Sequence, residues 1–119
     1  MNKLIEMATH EVNTSVLPKL KKTGIKAYKI IPIYRRTDYL GYYENCSCFD
    51  IPIIKLNMTQ IKKSDFEYPN ISIYEIILST ILHELYHAVQ ELTGRDFNED
   101  EAEDFAYNYV RLGVIGIEV

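Results

Sequence analysis

Tryptophan is absent from this chain, cysteine occurs only twice, and no stretch reaches the roughly 18 uninterrupted apolar residues of a membrane span. Each shortage excludes something. The first ten residues, Met1 to His10, lack the continuous apolar core of an export signal, so a soluble, cytoplasmic protein with no membrane partner is expected. Cys46 and Cys48 sit too close in sequence for an easy disulfide, because bridged Cα atoms must fall in a narrow distance window. They read as free thiols, and with no second Cys pair or His pair beside them they fall short of a structural zinc site. A surplus of positive charge is missing too: 13 Lys and Arg stand against 17 Asp and Glu, for a net charge of −4. Neutralising phosphates needs clustered Lys and Arg, so no nucleic-acid partner is expected.

What is present is ordinary globular composition, 47% hydrophobic and 25% charged over 119 residues. That is enough for one domain, residues 1–119, around one core without staples. Ten tyrosines are conspicuous, but Tyr suits a half-buried sheet and packing accounts for most of them.

The informative stretch is Ile81-Leu82-His83-Glu84-Leu85-Tyr86-His87-Ala88-Val89, a His-Glu-x-x-His motif within an apolar run. On a helix His83 and His87 lie one turn apart on one face, so both imidazoles can reach one ion, with Glu84 offset beside them. Zinc bound by neutral imidazoles keeps a position open for water and brings its pKa near 7, and an adjacent Glu can take the proton. The motif thus implies Zn2+ as cofactor, with His83 and His87 as ligands and Glu84 as general base.

Around it, periodicity supplies the elements. Leu4, Ile5, Ala8, Val12, Val16 and Leu20 mark an amphipathic backing helix, which Pro18 should stop or kink near Val16. Three strands are predicted, over Ile25–Tyr34, Tyr39–Tyr43 and Ile51–Asn57, with Asn45 to Asp50 a connection. Pro32 cannot donate to a ladder, which places it at an open edge, a bulge or a strand end. Met58 to Asn70 lacks sustained periodicity and reads as a surface connection. Ser72 and Glu75 have capping-box spacing, Ile71 and Ile76 would staple the entry, and Gly94 suits the exit of a helix over residues 73–93. A last helix begins near Phe97 and continues to Gly113.

Two histidines leave a catalytic zinc one protein ligand short. Of the acidic residues opening the last helix, Glu101 falls at the border of its apolar face. With Asp96 rather than Asn98 as cap, Glu99 closes the capping box and Glu101 is free to bind metal.

With His83, Glu84, His87 and the segment Glu101-Ala102-x-x-Phe105-Ala106, the sequence resembles the zincin metallopeptidases, in particular the gluzincin branch. The latter segment is similar to the signature of ImmA/IrrE-type zincins, although position 103 is Glu where that pattern favours Asn, and the order of elements resembles the minimal gluzincins, the minigluzincins. The resemblance implies an α+β, zincin-like fold: a backing helix, a three- to four-stranded sheet, an active-site helix and a C-terminal glutamate helix. It implies a zinc metalloendopeptidase acting on peptide or unstructured protein substrates, with Glu101 as third ligand and a Tyr or His assisting the oxyanion. Tyr42, Tyr43, Tyr107 and Tyr109 are candidates for that role. The alternative is a non-catalytic zinc-binding or protein-interaction module. The apolar tail Val114 to Val119, ending in Glu118 and the chain carboxylate, could pair with a sheet edge and hold such an enzyme latent.

Overall fold

The computed structural model describes residues 2–46 and 51–117, so Cys48 and Glu118 lie outside the described residues, as does the Cys46 side chain. Helix α1 (Asn2–Glu11) passes into a π-helical stretch (Val12–Val16), then α2 (Leu17–Leu20) and a 3-10 turn (Lys21–Thr23). The sequence explains the irregularity: Pro18 has no N–H for the carbonyl four residues back, and its ring crowds that carbonyl. The helix loosens ahead of it, with Leu17 N–H reaching Val12 O, and resumes with Pro18 in the first turn of α2. The expected face survives the change, because Ala8, Val12, Val16 and Leu20 are all fully buried.

Three strands follow: β1 (Lys29–Ile33), β2 (Gly41–Cys46) and β3 (Ile51–Asn57). They form one sheet in the order β1-β3-β2, with β1 parallel and β2 antiparallel to β3. β1 is shorter than the predicted Ile25–Tyr34; β2 starts two residues later and ends three residues later than predicted, taking in Asn45 and Cys46 of the expected connection, whose residues 47–50 lie outside the described residues; β3 has the predicted bounds. Pro32 lies on the edge strand, where a missing donor costs no ladder bond on its open side. In central β3, Pro52, Ile54 and Leu56 alternate into the core.

Residues 58–70 are not the surface connection that their weak periodicity suggested. Met58–Glu67 is a helix, α3, anchored only by the buried Met58 and Ile61, with no side-chain cap and with Phe66 exposed. Two anchors one turn apart are too few to register as an apolar stripe.

Helix α4 (Ile73–Leu92) is the centre of the core. Ser72 caps it by accepting from Glu75 N–H at 3.1 Å, and Ile77, Ile81, Leu82, Leu85 and Ala88 are fully buried. Truncating one of these, such as Leu82→Ala, should cost about 2–5 kcal/mol. β2, β3, α1 and α3 all pack on α4. Helix α5 (Glu99–Leu112) lies along it with Ala102, Phe105 and Ala106 buried, and Phe105 stacks on Tyr86 at 4.8 Å between ring centroids. Glu11 ties α1 to both helices, accepting from Tyr74 OH at 2.7 Å and Tyr109 OH at 2.8 Å. The architecture is α+β, and among the described residues no helix is long and apolar enough to cross a membrane.

Beyond Gly113, residues 114–117 form no strand. Ile115 and Ile117 line a cavity with Tyr86 and Phe105 that contains neither His83 nor His87.

Candidate metal centre

One turn of α4 separates His83 from His87, and their rings stand 4.9 Å apart at 77°. The His87 side chain is 2% exposed and that of His83 16%. Phe97, from the turn after α4, covers the His87 ring in a parallel stack at 4.1 Å.

The turn between α4 and α5 brings an acid to this pair. Gly94, at φ 71°, takes the left-handed conformation that reverses the chain, while Gly94 N–H bonds Glu91 O and Arg95 N–H bonds Gln90 O. Asn98, not Asp96, then caps α5, its Oδ1 accepting from Glu101 N–H at 3.0 Å. This moves the register assumed in assigning the third ligand. Glu99 becomes the first helical residue and meets the histidines: its Oε2 lies 2.9 Å from His83 Nε2 and its Oε1 2.8 Å from His87 Nε2. Glu101, the acid expected there, has its N–H in the cap and its carboxylate on Gln90 Nε2 at 3.3 Å. Glu103 is one turn beyond Glu99, with Oε2 3.0 Å from His83 Nδ1.

A sequence signal for this arrangement existed. Glu99 and Glu103 are four residues apart, as are His83 and His87, so an acidic pair on one helix can face a histidine pair on the next. Gln90, whose Oε1 lies 2.9 Å from His87 Nδ1, and Phe97 had no comparable local signature.

His83, His87 and Glu99 could hold a metal ion, since one ligand atom from each falls within 4.8 Å of the others. The surroundings fit a cation. His87 Nε2 is buried and makes no hydrogen bond: Glu99 Oε1 is close to it but off the line of an N–H···O bond. Three carboxylates, Glu84, Glu99 and Glu103, crowd two imidazoles. Burial, and secondarily the Glu99 charge, push the Glu84 carboxyl up to about 8.

His83, Glu84, Glu99 and Glu103 line a cleft of about 420 Å³. Its opposite wall is the segment from Asp38 to Gly41. Asn57, fully buried, fixes that wall through Thr37 Oγ1 at 2.8 Å, Tyr39 O at 3.1 Å and Leu40 O at 2.8 Å. Gly41 is required by close approach, because a Cβ there would stand 2.8 Å from both Lys55 O and Thr80 Cγ2. Of the four tyrosines considered for an oxyanion role, only Tyr107 lines the cleft, joined by Tyr39. Tyr109 is bonded to Glu11, Tyr43 donates to Glu91, and the Tyr42 ring lies under Lys55 Nζ. Compared with known proteins, the chain matches no family model, no curated protein and no solved structure, and its own side-chain arrangement is what speaks for its chemistry.

Proposed function

We propose that the protein is a zinc-dependent peptidase of the zincin type, with His83, His87 and Glu99 as metal ligands and Glu84 as general base and acid. The observation that supports it most is the bare, buried His87 Nε2 set 2.8 Å from Glu99 Oε1, at a site that shares a cleft with Glu84. Two imidazoles and a carboxylate are a donor set that suits zinc. Held there, zinc would supply Lewis acidity toward a carbonyl oxygen and bring the pKa of water near 7.

The chain's own groups divide the remaining work. Glu103, 3.0 Å from His83 Nδ1, is placed to accept its N–H, which would leave the Nε2 lone pair for a metal beside Glu99 Oε2 at 2.9 Å. Glu84 Oε2 lies 4.0 Å from His83 Nε2 and faces the cleft, within reach of a water proton as the water attacks a peptide carbonyl. Cationic charge at the ligands favours its ionised form for that step, while burial favours the neutral form, from which it can protonate the departing amine. A cleft of this size, lined by residues 38–41 beside Glu84, suits an extended peptide or unstructured segment as substrate.

Glu84→Gln tests this reading. Zinc content should match the wild type, while cleavage of an unstructured protein substrate should fall about 10²- to 10⁴-fold. Equal cleavage by the variant, or no cleavage by zinc-loaded wild type, rejects it.

A further inference from the structure

We infer that Gln90 is a positioning residue of the metal centre: its side-chain amide sets the tautomer and direction of the His87 ring and, through the same atoms, the start of the helix that carries Glu99. The inference rests on the reading of His83, His87 and Glu99 as ligands.

Gln90 is 1% exposed in the last turn of α4, where an unsatisfied amide would be costly. The two ends of an amide are hard to tell apart by shape, but the backbone of Asn98 decides between them. The Asn98 carbonyl can only accept, and it takes a bond from Gln90 Nε2 at 2.9 Å. The Asn98 N–H can only donate, and it gives one to Gln90 Oε1 at 3.3 Å. Oε1 is therefore the end that faces His87 Nδ1, at 2.9 Å. An acceptor opposite Nδ1 requires the ring proton there, so in the neutral imidazole the lone pair belongs to Nε2, the atom 2.8 Å from Glu99 Oε1.

The same residue governs where Glu99 arrives. Gln90 O accepts from Arg95 N–H at 2.8 Å, so main chain and side chain together hold the beginning and end of the turn that leads into α5. The second Nε2 hydrogen reaches Glu101 Oε1 at 3.3 Å, which uses the remaining donor. A purely structural glutamine would need only the Asn98 bonds. The bond to His87 makes the amide a link between a ligand's tautomer and the register of the helix that brings the third ligand.

Two variants and two readouts test this. Gln90→Met keeps the length and removes the amide, whereas Gln90→Glu keeps an acceptor for His87 Nδ1–H but loses the donors to Asn98 O. Nitrogen NMR of the His87 ring in metal-free protein at mildly alkaline pH reports the tautomer, and titration with cobalt(II) reports affinity. The wild type and Gln90→Glu should hold the Nδ1–H tautomer, while Gln90→Met should shift to Nε2–H and bind cobalt about 10- to 100-fold more weakly. A folded Gln90→Met that keeps the Nδ1–H tautomer and wild-type affinity overturns the inference. Should that variant not fold, Gln90→Glu decides: Nδ1–H supports the inference and Nε2–H overturns it. Wild type that takes up no cobalt contradicts the metal reading instead, and the tautomer in that same sample still decides the role of Gln90.

Discussion

His87 Nε2 and Glu99 Oε1 stand 2.8 Å apart with no hydrogen bond between them, inside a site where the imidazole is 2% exposed. The Glu99 side chain is 62% exposed, so water screens its charge, but the buried imidazole nitrogen is left without a partner and a shared cation would satisfy both atoms. Zinc should therefore stabilise the fold: at a concentration about 100 times its Kd it adds about 2.7 kcal/mol. For a chain of this size that corresponds to roughly 10 °C in Tm. Calorimetry with and without a chelator measures it, and Glu99→Ala should show almost none of the shift.

The metal-free protein should become less stable as pH rises. Glu84 titrates at about 8 in the fold, against 4.5 as its ordinary value, with burial the main cause and the Glu99 charge second. The folded state then holds more protons than the unfolded between those values, so stabilisation present below the lower one is lost as pH climbs through the upper. Urea midpoints measured in chelator across about pH 5 to 8 should fall, and Glu84→Gln should flatten that part of the slope. A wild-type slope no steeper than that of the variant would contradict the burial argument.

Gly41 is where the β2 backbone meets α4 closely. Gly41→Ala places a Cβ against Lys55 O and Thr80 Cγ2, both at 2.8 Å, and one of these is backbone that cannot rotate aside. A loss of about 1–3 kcal/mol in urea unfolding is expected. Adding Thr80→Ser, which removes the Cγ2, should recover part of it. The cleft wall moves with β2, so peptidase activity should decline as well.

Glu103 meets the histidine pair at His83, 3.0 Å from Nδ1. Glu103→Ala frees that ring to turn, and zinc affinity should drop about 10- to 100-fold. Glu103→Gln keeps an acceptor and should fall between the variant and the wild type in a competition titration against a chromophoric chelator.

How much of this was legible in the sequence depended on whether the deciding interaction was local. Helix α4 carried its own cap in Ser72, its own exit in Gly94 and a broad apolar face, and its observed bounds are within a residue of those expected. β3 carried the residue types of a strand, and its bounds are those expected. The start of α5 did not carry its own answer, because Asp96 and Asn98 both have capping chemistry. What accompanies the Asn98 cap is a contact from another helix, Gln90 on the Asn98 backbone, which no window of local sequence contains. The shift of cap position puts Glu99 rather than Glu101 on the His pair. α3 escaped notice for a related reason: its two buried anchors gain their meaning from what lies across the core.

The most direct test of the metal centre is a zinc titration of the metal-free wild type beside Glu99→Ala and Glu101→Ala. The expected result is about one zinc per chain for the wild type, loss of affinity by more than about 100-fold in Glu99→Ala, and at most about a tenfold change in Glu101→Ala, whose carboxylate reaches the site only through Gln90. Wild-type affinity in Glu99→Ala together with its loss in Glu101→Ala would contradict the account.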